Sequence, residues 1–206
     1  MKMKNLLQIS VFVLLLTSCS PSNESLADKY KQNGETEKAI EYYKLAIEDG
    51  STRSMNKLAL LYVNNHNLSE AKKYYKMSFE QGNSSAAQIL ASLCASNEDY
   101  EGTIKYSKKL ADNGNLDVVY NLGNAYLKLK KYDQAIKYLE LDSTSVFTKN
   151  LLGEAYYKKG DLANAEKVWK SAVDNHKKGR ANSHQKLLKL YLKLGKTEQY
   201  NKYKNI

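Results

Sequence analysis

Small residues recur along this chain at a fixed interval. Ala39, Ala71, Thr103 and Ala135 stand 32 positions apart, and Ala165 follows after 30. Twelve positions before each lies a second small residue, Ala27, Ala59, Ala91, Gly123 and Gly153, and a leucine precedes each of these: Leu26, Leu58, Leu90, Leu122 and Leu152. Three positions after the second set come Tyr30, Tyr62, Cys94, Tyr126 and Tyr156, and four after the first set come Tyr43, Tyr75, Ser107, Leu139 and Trp169. A looser sixth copy uses Leu187, Leu188, Tyr191 and Tyr200. Such a period constrains the chain to an array of like units, each too small to bury its own apolar face and stable only by stacking on its neighbours.

Each unit reads as two antiparallel helices. Apolar residues at i, i+4 and i+7, as in Leu122, Tyr126 and Leu129, mark an amphipathic helix. The two small positions fall where paired helix axes cross most closely, so that backbones approach and larger rings fill the flanking space. Asn33-Gly34, Lys159-Gly160 and Leu194-Gly195 break helices inside units, and Gly50, Gly82 and Gly114 recur just beyond second helices, where a residue of positive φ is favoured. The composition alone leaves disorder open, because the 42% hydrophobic share includes 17 tyrosines on a chain of net charge +10. The periodicity closes that option and predicts an all-α solenoid of about six helical hairpins.

Leu122-Gly123-Asn124-Ala125-Tyr126 and Leu152-Gly153-Glu154-Ala155-Tyr156, with Ala165 to Trp169 later in the unit, resemble the tetratricopeptide signature. Ala39 to Ala46 followed by Glu48-Asp49-Gly50, and Ala71 to Gly82, look more like the related Sel1-like repeat. The resemblance spans residues 24–206 and implies a right-handed solenoid that serves protein–protein interaction. It departs from the family pattern in its 32-residue early period and in lacking the terminal proline, the early tryptophan and the longer inner loop of Sel1-like units. In such solenoids the first helix of each unit lines a concave groove. That resemblance places Asn56, Gln88, Tyr120, Asn124, Asn150, Glu154, Tyr157 and Lys158 along the groove, a set whose rings and amides suit recognition of a peptide. The basic positions of the family's carboxylate clamp are not reproduced.

The first residues carry an address. Lys2 and Lys4 precede an apolar run from Leu6 to Leu16, shorter than the roughly 17–25 residues of a membrane span. Leu16-Thr17-Ser18-Cys19 resembles the lipobox of bacterial lipoproteins. The resemblance implies a signal peptide over 1–18, a lipidated tether over 19–23, diacylglyceryl and fatty acyl (palmitate-type) modification at Cys19, and anchoring in the cell envelope. In a diderm organism Ser20 favours the outer membrane, facing the periplasm. Several buried acyl chains, at about 0.8 kcal/mol per methylene, hold firmly where one does not.

Little in the chain suggests catalysis, and neither an enzyme nor a cofactor is expected. His66, His176 and His184 have no ligand-type partner at helical spacing, and no phosphate loop or nucleophile motif is present. Cys94 stands in a tyrosine register and reads as core. Glu35, Glu37 and Glu41 read as a solvated face. Positive charge concentrates at the end: residues 176–206 hold nine bases against one acid, whereas residues 24–51 hold four bases against seven acids. The basic set is Lys177, Lys178, Arg180, Lys186, Lys189, Lys193, Lys196, Lys202 and Lys204. It reads as a polar terminal repeat, or as a contact for an anionic envelope polymer or lipid. With two arginines in the chain and an export signal ahead of it, no nucleic-acid partner is expected. The expected partners are an envelope protein or peptide, and the membrane through the lipid anchor.

Overall fold

Backbone hydrogen bonding builds twelve α-helices among the residues that the computed structural model describes, 21–175, 179 and 181–205. The signal segment, Cys19 and Ser20 lie outside these residues, as do His176, Lys177, Lys178 and Arg180. In chain order the helices are α1 (Asn23–Gln32), α2 (Thr36–Glu48), α3 (Thr52–Asn64), α4 (Leu68–Glu80), α5 (Ser84–Ser96), α6 (Tyr100–Asp112), α7 (Val119–Lys128), α8 (Tyr132–Leu139), α9 (Val146–Lys159), α10 (Leu162–Asn175), α11 (Ala181–Lys193) and α12 (Thr197–Tyr203). A 3₁₀ turn over Leu116–Val118 leads into α7. Consecutive helices pair as hairpins, and the hairpins form the all-α solenoid architecture. They cluster into two compact units: α1 to α4, ending at Gly82, and α5 to α12, starting at Asn83. No helix among the described residues is long and apolar enough to cross a membrane.

Local chemistry fixes the helix ends. Ser22, Ser51, Asn67, Asn83, Asp99 and Ser145 each cap a helix by accepting a backbone N–H three residues on with a side-chain oxygen, a contact contributing about 1 kcal/mol. The turn inside every hairpin closes with the same pair of bonds. In the first, the Gly34 N–H reaches the Lys31 carbonyl at 3.1 Å and the Glu35 N–H reaches the Tyr30 carbonyl at 2.9 Å, a Schellman motif with Gly34 left-handed at φ 78°. The carbonyls of Tyr62, Cys94, Tyr126, Tyr156 and Tyr191 take the equivalent bond in the other hairpins. The recurrent tyrosine register is thus also the residue that receives the helix-ending bond.

The small residues do what their spacing implies. Ala27, Ala39, Ala59, Ala71, Ala91, Thr103, Ala135 and Ala165 are at most 2% exposed. A Cβ added to Gly123 would lie 2.3 Å from Leu139, and one added to Gly153 would lie 2.3 Å from the Trp169 indole. Leu139 and Trp169, sixteen positions on, fill the space that these glycines leave, and Tyr43, Tyr75 and Ser107 at the equivalent positions are buried.

A second ring register runs alongside. Tyr30–Tyr42, Tyr62–Tyr74 and Tyr126–Tyr138 stack at centroid distances of 5.1, 5.7 and 5.5 Å, always twelve positions apart and always across one hairpin. Cys94, opposite Tyr106 in this register, is buried core as expected. In the last copy Tyr200, twelve positions after Leu188, stands at the place of a small residue and is half-buried, and the ring packed on Tyr191 is Tyr203, at 5.9 Å. Tyrosine also lets the ring layer end in water or in a carboxylate. The hydroxyls of Tyr43, Tyr138 and Tyr203 donate to Asp28, Asp112 and Asp174 at 2.6, 3.0 and 2.9 Å.

Candidate peptide-binding face

In the unit starting at Asn83 the first helices touch in succession, α5 on α7, α7 on α9 and α9 on α11, forming one layer. All but Asn56 of the residues proposed from sequence lie on these helices. Gln88 on α5 donates to Asp117 at 3.3 Å. On α7, Tyr120 is 42% exposed and Asn124 is half-buried. On α9, Asn150 and Glu154 are half-buried and Lys158 is exposed. Asn56 belongs to the other unit, on α3. There it shares with Asn150 an unusual property: its amide oxygen is buried with no hydrogen-bond partner among the described residues.

A cleft of about 220 Å³ gathers Glu154, Tyr157 and Lys158 of α9 with Trp169 of α10 and Lys186, Lys189 and Leu190 of α11. Gly153 creates it locally. With no side chain there, the indole of Trp169 seats against α9 and donates its N–H to the Asn150 carbonyl at 3.2 Å. Trp169 is 3% exposed and Leu190 1%, so they form the floor. Tyr157 packs on the indole at 5.9 Å rather than standing free, and Lys193 covers its ring at 4.9 Å while donating to its hydroxyl at 3.2 Å. Lys186 stands 5.9 Å from the indole centroid and is ion-paired with Glu154. The geometry therefore brings three of the sequence-predicted residues to one place and gives Tyr157 a packing role there.

Sequence reasoning missed Trp169, Lys186, Lys189 and Leu190 as neighbours of that place. The signal was present: Glu154 and Lys186 are 32 positions apart, one repeat, as opposite charges on adjacent first helices. The same charge logic links α1 to α3, where Lys57 contacts Glu24 at 2.8 Å and Asp28 at 2.6 Å.

The basic C-terminal set is partly consumed internally. Lys186 pairs with Glu154, Lys196 pairs with Glu166 at 2.5 Å, and Lys193 is engaged with Tyr157, whereas Lys189, Lys202 and Lys204 face solvent. His184 meets the Tyr203 carbonyl at 2.7 Å. No group of three or more His, Cys, Asp or Glu suited to a metal ion occurs among the described residues.

Comparisons with known proteins agree with this geometry. Residues 21–48, which take in most of the Ala39 to Gly50 stretch likened to Sel1-like repeats, match the tetratricopeptide repeat model, and residues 64–141 match the model for anaphase-promoting complex, cyclosome, subunit 3. No curated protein sequence matches the chain. Among solved structures, YrrB, described as a TPR protein with an unusual peptide-binding site, is similar at TM-score 0.62 and 17% identity, over 80% of this chain and 90% of that one. A tetratricopeptide repeat protein from Parabacteroides merdae aligns at TM-score 0.59 and 17% identity, over 87% of this chain and 76% of its own. Pseudomonas aeruginosa pilF aligns at 0.56 and 19%, over 88% and 86%. In fold, this chain is an all-α solenoid of helical hairpins similar to those of tetratricopeptide-repeat structures, and residues 21–48 match the tetratricopeptide repeat itself.

Proposed function

We propose that this protein is a lipid-anchored scaffold of the cell envelope that holds a protein or peptide partner on the first-helix face of α5, α7, α9 and α11. The single observation that carries the binding role is the cleft between α9 and α11. Support for the anchor comes from the lipobox-like Leu16 to Cys19 behind a short apolar run, and it gives an extracytoplasmic location, the outer membrane in a diderm cell. The role is non-catalytic: the face offers shape, amides and charge, with no nucleophile–base pair among its residues. Affinity capture of the full chain from detergent-solubilised native membranes, read by mass spectrometry, tests it. A specific protein should be recovered with the wild type and lost with Tyr120→Ala combined with Asn124→Ala, while both chains keep the same helical circular dichroism. Recovery of the same proteins by both would sink the groove reading.

A further inference from the structure

The cleft between α9 and α11 has a composition that selects its occupant. At about 220 Å³ it is smaller than the roughly 300–1,000 Å³ of pockets that take whole small-molecule ligands, and it fits one or two side chains. Its floor, Trp169 and Leu190, is apolar. Its rim is cationic: Lys158 and Lys189 are exposed and make no ion pair among the described residues. Lys193 stands beside them over Tyr157, in contact with a ring and a hydroxyl rather than with an acid. Glu154 is the single carboxylate in the lining, and it is bound to Lys186. An anionic group entering there meets Lys158 and Lys189 without displacing a competitor, whereas a cationic one meets uncompensated repulsion.

Resting on the peptide-binding reading above, we infer that this cleft takes an acidic peptide segment, with side-chain carboxylates set between Lys158 and Lys189 and a neighbouring apolar side chain against Trp169 and Leu190. Glu154 then acts as an internal stand-in for the ligand: it already neutralises Lys186, the cation closest to the indole. Removing its charge frees Lys186 for the peptide. The inference therefore makes an unusual demand, that neutralising a charged residue of the binding site should tighten binding.

Trp169 is the one tryptophan in the chain, so its emission reads occupancy of this cleft and no other site. The probes are the acetylated, amidated peptide Gly-Glu-Phe-Glu-Gly and its counterpart Gly-Gln-Phe-Gln-Gly, whose blocked ends confine the charge to side chains. Titrated into the purified full chain, the acidic peptide should shift Trp169 emission saturably, and added salt should weaken it. Lys158→Gln and Lys189→Gln, both at exposed positions, should each weaken it by roughly three- to tenfold, and Glu154→Gln should tighten it by roughly threefold. Equal affinity for the glutamine peptide, or Glu154→Gln binding no more tightly than wild type, overturns the inference. So does silence of Trp169 toward both peptides. In each of these cases the partner-capture experiment, which depends on Tyr120 and Asn124, still decides the scaffold reading by itself.

Discussion

At the scale of single residues, the turn inside each hairpin is the most exacting position. Gly34, Gly160 and Gly195 occupy it in three hairpins, but His66, Glu98 and Lys130 occupy it in the others at φ 57°, 55° and 58°. A side chain there carries a left-handed penalty of roughly 1 kcal/mol that glycine avoids. Lys130→Gly should raise unfolding stability by about 0.5–1 kcal/mol in urea titration, with Gly160→Ala lowering it by a similar amount. Tyrosine hydroxyls supply a second residue-level effect. Burial, and then the hydrogen bond donated to Asp112, push the Tyr138 phenol from 10.0 up to about 12, and Tyr203 is raised likewise by burial and Asp174. Below pH 10 both folded and unfolded chains keep the proton and the contribution is whole. Between pH 10 and about 12 only the unfolded chain releases it, so stability falls as pH rises. Tyr138→Phe should flatten that alkaline decline, measured as urea midpoints at about pH 9 and about pH 11.

At the scale of helices, closeness of approach sets the energetics. Gly123 and Gly153 admit Leu139 and Trp169 to within a side chain's breadth of the partner backbone. Gly123→Ala should therefore cost about 1–3 kcal/mol by overpacking, and less in a Leu139→Val background, where the added methyl gains room. Charge joins the first helices α1 and α3 in the same way. The hydrogen bond from Lys57, followed by that from Ser51, holds the Glu24 carboxyl below its ordinary 4.5. For Asp28, burial opposes ionisation but bonds from Lys57 and Tyr43 outweigh it, leaving the group below 3.8. These carboxylates stabilise the fold fully above their ordinary values, and that contribution is lost as pH falls through the lowered ones. Lys57→Met should cost about 1 kcal/mol at neutral pH in this partly exposed setting, and the deficit should shrink at a pH acid enough to protonate both carboxylates. An equal deficit at both pH values would show that Lys57 acts by packing alone.

For the whole molecule, charge and address are the properties that sequence carries furthest. The excess of nine bases over one acid in residues 176–206 reads as one basic end. Folding divides it: Lys186 and Lys196 neutralise Glu154 and Glu166, one repeat back along the chain, and Lys189, Lys202 and Lys204 stay open to solvent. A lysine's charge counts toward a surface only if no neighbouring repeat presents an acid to it, and that is settled by stacking. The proposed anchor is a whole-molecule property of a different kind, and it rests on the lipobox-like Leu16 to Cys19. Cys19→Ala should move the protein out of the membrane fraction on cell fractionation; full retention there would remove the basis for the lipoprotein assignment.

The period, the helical hairpins and their close-packed small residues were all legible in the sequence, because a helix crossing leaves a signature at fixed spacing: Ala39, Ala71, Thr103 and Ala135 cannot be large. The Cys94 core position was legible for the same reason, as a substitution within a register. What escaped was whatever depends on contacts between registers. Tyr157 lines the cleft and also packs on Trp169, which is seated in the space that Gly153 leaves. In the last hairpin Tyr203 packs on Tyr191 at the same twelve-residue ring spacing, a residue outside the set from which the sixth copy was read. The cleft itself combines side chains from α9, α10 and α11, each unremarkable in its own repeat. Sequence periodicity alone determined which residues are small, which are buried and where helices end, since those follow from backbone geometry repeated unit by unit. Only tertiary structure decided which lysines are spent on glutamates and which remain for a ligand, since that depends on side chains from successive repeats meeting across the stack.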